Sequence, residues 1–471
     1  MGESQVVSLG VTPSTFRGET HRAGDEGYAE ARLIFNMRHD SWQPALIARP
    51  VDVPDLQALM RHAYAHDIPV AVRSGGHGVD STAMPHGQLV VDLSAWKDIH
   101  VDTASRVIRL GAGVLLGEMD AACEKHGLVV PAGTVSHTGV AGLTLGGGLG
   151  YNMRRFGATV DQLLACEVVT TDGRFIRASG KENTDLFWAL RGGGGNFGIV
   201  TSFEFQGHEM GHTPSYAVIL FELEDAKSIL GKLPAFVKTS PRELIVVPTI
   251  MGVPPFPGIP PEQCGVRKLV TICVFTGNPD KFDLLLKEVT GLGKPSAVTA
   301  CQAPWTQVNS MLDLGAPFGR RYSTRGGYLS QITDDLVDTV LQGAEAAPSE
   351  EEAADAHCAQ LIWLFGGGAL TEDHDEDSVA FSRKGAIALI ECTTQWDSPG
   401  TDAKVLAWID NLTDSLKPFL LPNGYVNLCE DLGQEWLQGL YGSPEKYSRL
   451  LAMKQKWDPK NLLRFNKNFV V

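Results

Sequence analysis

Three stretches of this sequence hold residue types and spacings able to do chemistry. The first is Arg73-Ser74-Gly75-Gly76-His77-Gly78, at the close of the strand-like run VAVR (70–73). Successive glycine N–H groups at the end of a strand make a concavity suited to a pyrophosphate, and His77 brings a nucleophilic imidazole into the same turn. On residue types alone, a tight turn carrying an ordinary surface histidine is an equal reading. The second stretch, PAGTVSHTGVAGLTLGGGLG, runs from Pro131 to Gly150 and has seven glycines in 20 residues. Its candidate contacts are Thr138, Gly139, Gly142, Gly146, Gly147 and Gly148. A flexible linker sets glycine and serine in polar surroundings; this stretch is studded with Val and Leu and calls for burial. The third runs from Glu182 through Phe187 and Trp188 to Arg191, then Gly192–Gly195, Asn196, Phe197, Gly198, Ile199 and Val200. Its aromatic pair reads as core.

The usual nucleotide signatures are missing. Gly111-Ala112-Gly113 is followed by Leu116 where a third glycine belongs, and Gly117 comes one residue late. There is no strand–GxGxxG–helix unit, no GxxxxGK loop, no HExxH and no GxSxG. Phosphate binding here calls for an unrelated fold.

The elements that must position these loops are short at first. Residues 53–66 put Leu56, Leu59, Met60 and Ala63 on one helical face, with Asp52 as N-cap and Pro54 in the first turn. Strands are expected at 88–93, 98–103, 106–110, 164–171, 174–178 and 199–206, and helices at 115–126 and 183–190. From 212 to about 415 the elements lengthen: strands at 216–223, 266–275, 360–365 and 385–391, and helices at 225–238, 279–290, 333–346 and 402–416. That alternation suggests one antiparallel sheet with helices on one side. A Pro-rich loop (252–263) and an acidic stretch (345–356) interrupt it, and the tail returns to a mixed pattern.

Composition bounds the class. The chain has 471 residues, a formal net charge of −15 and 51 glycines, about 11% where about 7% is usual. An acidic surface excludes nucleic acid as the expected partner. No apolar run approaches the roughly 18 residues that span a bilayer, so no membrane partner is expected. The first 16 residues have neither the basic start nor the apolar core of a secretory signal, and Val6 breaks the myristoylation pattern after Gly2. Eight cysteines at irregular spacing, with no CxxC, read mostly as reduced and buried. A cytoplasmic protein without a metal site is expected.

Together, RSGGHG, PAGTVSHTGVAGLTLGGGLG and DLFWALRGGGGNFGIV resemble the FAD-binding domain of vanillyl-alcohol-oxidase-type (PCMH-type) flavoproteins. The tail, with Tyr425-Val426-Asn427, Trp457-Asp458-Pro459-Lys460-Asn461-Leu462 and Phe465-Asn466, resembles the C-terminal segment of the berberine-bridge-enzyme-like oxidases. The resemblance implies an α+β fold: a two-subdomain FAD-binding domain (1–210, core about 40–210), a substrate domain of antiparallel sheet covered by helices (211–415), and a C-terminal segment (416–471) returning to the FAD domain.

It also implies roles. Arg73, Ser74, Gly75, Gly76, His77 and Gly78 would bind FAD, with Thr138, Gly139, Gly142, Gly146, Gly147, Gly148 and Ile199. His77 is similar to the histidine bonded to the flavin 8α-methyl group. Where many members carry a second, cysteinyl link, this chain has Val135, so the expected attachment is single. Thr138 stands at the position that gates oxygen and is smaller than the blocking Ile or Leu of dehydrogenase members. Tyr425 and Asn427 match the family's Y-x-N element.

On the substrate side, Tyr322, Tyr328, Trp363, Glu391 and Trp396 lie on or beside candidate strands. Glu391 reads as ending an alternating run, so a surface carboxylate competes with a catalytic one. No acid lies inside 360–364, where some relatives place a catalytic Glu, and Tyr425 is the alternative base. The reading is an FAD-dependent oxidase acting on a small organic, secondary-metabolite-like alcohol, amine or activated C–H, with O2 as acceptor. Tyr425, Asn427 and Glu391 are its catalytic candidates. A dehydrogenase, a monooxygenase and a catalytically silent flavin-binding protein are the alternatives.

Overall fold

The structure, a computed structural model, describes residues 12–255, 258–349 and 351–470. The expectations for the extreme N-terminus, Gly2 and Val6 included, lie outside the described residues. Helix Val53–Ala65 starts as its sequence dictates: Asp52 accepts the Asp55 N–H at 2.9 Å, and Leu56, Leu59, Met60 and Ala63 are buried. This helix is the crossover that lets Leu46–Arg49 and Val70–Arg73 run parallel, on either side of Leu89–Asp92. Glu19–His21 pairs antiparallel on the outer edge. The loop bearing His77 therefore leaves the C-terminal end of a parallel strand, where ligands collect in open α/β sheets.

A second, five-stranded antiparallel sheet has the order Ile99–Asp102, Val107–Gly111, Ile199–Gln206, Leu163–Val169, Phe175–Ser179. Both sheets share one apolar core with helix Val53–Ala65, and the chain's end joins it through Leu437, Leu450, Trp457 and Phe469. Lys454, on helix Pro444–Trp457, donates to Asp458 Oδ2 at 2.7 Å and to the carbonyls of Asn196 and Leu463 at 3.2 and 3.0 Å. Asp458 accepts the N–H groups of Leu462 and Leu463 at 2.9 Å each, and the Leu462 carbonyl accepts the Val70 N–H. The WDPKN segment is thus the joint that fastens the tail beside the His77 strand.

The intervening residues form one seven-stranded antiparallel sheet. Its order is Pro295–Gln302, Ser215–Phe221, Arg267–Phe275, Leu244–Gly252, His357–Leu364, Ala388–Trp396, Arg321–Leu329. Strand alternation sorts its faces. Ala388, Ile390 and Cys392 pack against helices Leu223–Thr239, Asp334–Glu345 and Asp402–Leu416, while Leu389, Glu391, Thr393 and Gln395 face a cavity on the other side. The expected helices are all present, and so are four of the strands.

Three strands were missed, for physical reasons. Leu244–Gly252 contains Pro248, which has no N–H for a ladder, and its pairing with His357–Leu364 skips residues 247 and 248. Arg321–Leu329 carries Gly326-Gly327 in its middle. Pro295–Gln302 is a half-exposed edge.

Candidate active site

One cavity of ≈ 1190 Å³ lies between the seven-stranded sheet and the glycine-rich loops. That is larger than the about 300–1,000 Å³ of an ordinary small-molecule pocket, as a dinucleotide plus a substrate requires. All three glycine-rich stretches border it, joined by Asn466 and Lys467 of the tail. Among the described residues, the N–H groups of Gly75, Gly76, His77 and Gly78 donate to no protein acceptor. Gly142 and Gly195 have nothing within 4 Å of where a Cβ would stand. The side-chain oxygens of Asn196 and Asn466, both on the cavity wall, are buried without a partner. A ring of free donors, unfilled glycine faces and orphaned amides fits an FAD.

The glycines are required for loop contact as much as for the cofactor. A Cβ on Gly75 would stand 2.4 Å from the Gly139 nitrogen, so the first two loops touch backbone to backbone. A Cβ on Gly146 would stand 2.0 Å from Asn427 Oδ1. Ser74, Gly75, Gly76, His77, Gly78, Thr138, Gly139, Gly142, Gly146 and Ile199 all border the cavity. Arg73, Gly147 and Gly148 do not. The Arg73 guanidinium turns away to Asp92 Oδ2 at 3.2 Å and the Ala31 carbonyl at 3.0 Å, bracing the strand that launches the loop. Gly147 packs on Phe381, and Gly148 on Thr159.

His77 is held on two sides. Its ring stacks on Phe35 with centroids 3.8 Å apart at 12°, and Phe35 stacks in turn on Tyr322 at 4.0 Å. Its Nε2 meets His137 Nδ1 at 3.1 Å. Burial, and then the neighbouring His137, push the His77 imidazole down to about 3, so it is neutral. His137 and Phe35 escaped sequence reasoning. The first lies 60 residues from His77, and nothing in the local pattern marks either.

Glu391 sits within strand Ala388–Trp396 rather than at its end, and it faces the cavity. Trp363 Nε1 donates to Glu391 Oε2 at 3.1 Å. Glu391 is paired in register with Leu361, so the carboxylate absent from 360–364 arrives from the adjacent strand. Burial raises it to about 7, and the indole N–H opposes this. Tyr425 Oη accepts the N–H groups of Gly148 and Leu149, both at 3.2 Å, and Asn427 Nδ2 at 3.0 Å. Asn427 Nδ2 also donates to the Leu143 carbonyl at 2.9 Å. Burial nevertheless lifts the phenol to about 12. Tyr322 and Trp363 border the cavity. Tyr328 and Trp396 are fully buried in the sheet packing and do not.

Known proteins share this fold. Residues 44–179 match the family described as FAD binding domain, and residues 424–469 the family described as berberine and berberine like. The (R)-6-hydroxynicotine oxidase of Paenarthrobacter nicotinovorans is 27% identical over 97% of this chain and 97% of its own. The crystal structure of 6-hydroxy-D-nicotine oxidase from Arthrobacter nicotinovorans superposes with a TM-score of 0.85 at 26% identity, covering 98% of this chain and 99% of that one. A glucooligosaccharide oxidase of Acremonium strictum, described with a 6-S-cysteinyl, 8α-N1-histidyl FAD, has a TM-score of 0.84 at 21% identity over 96% and 98% of the two chains. With an FAD-binding domain at 44–179, a berberine-like segment at 424–469 and likeness to FAD-linked oxidases over nearly its whole length, this chain is an FAD-linked oxidoreductase.

Proposed function

We propose that this oxidase carries FAD on a single bond to His77 and oxidises a small organic alcohol, amine or activated C–H compound, passing the electrons to O2. The observation that carries the reading is that one cavity has the His77 loop on one wall and Glu391 on the facing sheet. When bound, FAD supplies a hydride acceptor at N5. The chain supplies the rest. The N–H groups of Gly75 to Gly78 hold the pyrophosphate. Gly142, open where a Cβ would stand, lets the ring system lie close to the backbone, and Gly139 and Gly146 border the same wall. Val135 borders the cavity where a cysteine would give a second link.

Glu391, poised near neutrality, takes the substrate's hydroxyl or ammonium proton as the hydride departs. The Trp363 indole fixes that carboxylate's direction. Tyr425 is neutral at pH 7 with a phenol near 12, so it orients the 143–149 loop and the substrate rather than taking a proton. Asn427 locks Tyr425 and Leu143 together. Thr138, on the cavity wall, leaves room for O2. In this reading residues 1–210 and 416–471 bind FAD and 211–415 bind substrate. The chain works in the cytosol, in keeping with eight cysteines, none of them paired.

The test is acid precipitation of wild type and His77→Ala, with flavin absorbance read in pellet and supernatant. Flavin retained only in the wild-type pellet supports the linkage; flavin released from both overturns it. Reduced enzyme mixed with air then separates the alternatives. Slow reoxidation marks a dehydrogenase, and oxygen from isotopically labelled O2 in the product marks a monooxygenase.

A further inference from the structure

We propose that His137 is the base that primes His77 for attachment to the flavin, with the Asp313 carboxylate set behind it. The inference rests on the His77 linkage proposed above. His77 Nε2 and His137 Nδ1 are 3.1 Å apart, so one ring must donate and the other accept. With the Nε2–H of His77 donating, its Nδ1 keeps a lone pair and is the nucleophilic atom. Stacking on Phe35 at 3.8 Å holds that ring in place while it reacts.

The surroundings of His137 suit a base that becomes charged for a moment. Burial lowers the His137 imidazole below its usual range, so it rests neutral and free to accept a proton, and the nearby negative charge of Asp313 opposes that cost once the proton arrives. Asp313 is itself fixed, accepting Ser136 N at 2.8 Å and Ser136 Oγ at 2.5 Å. The segment 313–316 reaches in from the substrate side of the molecule and clasps residues 136–137. The second imidazole and its carboxylate have no part in the oxidation derived above, and this clasp is their use.

The step balances. His77 Nδ1 forms a bond to the 8α carbon, and one methyl hydrogen leaves as a proton. The electron pair of that C–H bond reduces the ring system by two electrons. The imidazole proton on Nε2 passes to His137 Nδ1. O2, the acceptor of the proposed reaction, then takes the two electrons and two protons as H2O2 and restores the oxidised cofactor.

Apoprotein made under riboflavin limitation is mixed with FAD in air. Linked flavin is followed as fluorescence of the protein band in a denaturing gel, and unlinked flavin is read in the acid supernatant. General-base assistance contributes about 10²–10⁴-fold. The expected result is attachment slowed at least about 100-fold in His137→Ala, with FAD still bound but released by acid, and a rate partly restored by added imidazole. His137→Gln, which keeps shape and polarity, is expected to be equally slow, and Asp313→Asn intermediate. Attachment at the wild-type rate in His137→Ala or His137→Gln overturns the relay. Absence of linked flavin in the wild type overturns the His77 linkage itself, so the two failures are distinguishable.

Discussion

Trp363 and Glu391 meet across adjacent antiparallel strands, with the indole nitrogen 3.1 Å from Oε2 and no cation among the carboxylate's hydrogen-bond partners. A carboxylate so placed keeps its proton until near-neutral pH. Turnover is therefore expected to rise as pH rises through about 7, when the base loses its proton. Glu391→Gln keeps the shape and the indole contact but cannot accept a proton. It is expected to lower kcat by about 10²–10⁴-fold and to abolish that rising limb in a pH–rate profile.

The same residue couples stability to pH. Glutamates of the unfolded chain titrate near 4.3, below the folded value of about 7, so the folded state binds the proton more tightly. The stabilisation from Glu391 is full below about 4.3 and is lost as pH rises to about 7. Thermal melts of Glu391→Gln and wild type should draw apart between about pH 4.3 and about pH 7 and stay apart above neutrality, with the variant the more stable.

Tyr425→Phe strips the acceptor from two backbone N–H groups and one amide. Each buried donor left without a partner costs about 1–3 kcal/mol. The expected outcome is a lower Tm together with weaker flavin retention, read by calorimetry and by absorbance after gel filtration.

Gly146→Ala puts a methyl group where Asn427 Oδ1 stands. It is expected to displace the Asn427 amide and lower both stability and flavin content. Asn427→Ala removes the obstacle. The double variant should recover part of what Gly146→Ala loses, and a double-mutant cycle measures that recovery as a coupling energy.

Thr138→Leu fills cavity volume beside the proposed flavin face. Stopped-flow mixing of reduced enzyme with air is expected to show reoxidation slowed by an order of magnitude, with anaerobic reduction by substrate little changed. Equal slowing of both half-reactions would instead mean general distortion of the site.

Lys454→Met leaves Asp458 as a buried charge without its cation. Breaking such a pair costs about 3–5 kcal/mol. A fall in Tm is expected, with limited proteolysis cutting the chain beyond Ser443 first.

The cofactor side was readable because its constraint is local. Glycine is the residue that lets Gly75 touch Gly139 and Gly146 touch Asn427, and clustered glycines betray close approach even when the partner is unknown. Arg73 was misplaced because sequence does not say which way a side chain turns, and Asp92 captured it. The seven-stranded sheet was half readable. Its helix-facing residues alternate cleanly, but Thr393 and Gln395 on the cavity face made strand Ala388–Trp396 seem to stop at Glu391. His137 and Phe35 were invisible, since their importance comes wholly from tertiary contact with His77.

The hydrogen bonds from Gly148 and Leu149 to Tyr425 span 277 and 276 residues of sequence. During synthesis, the glycine-rich loops leave the ribosome long before Tyr425, Asn427 or the Lys454–Asp458 joint exist. Such long-range closure makes for slow, late folding steps. The finished cavity thus waits for its C-terminal wall, and a protein truncated between residues 201 and 423 would carry every glycine of these loops and still lack the wall that closes them.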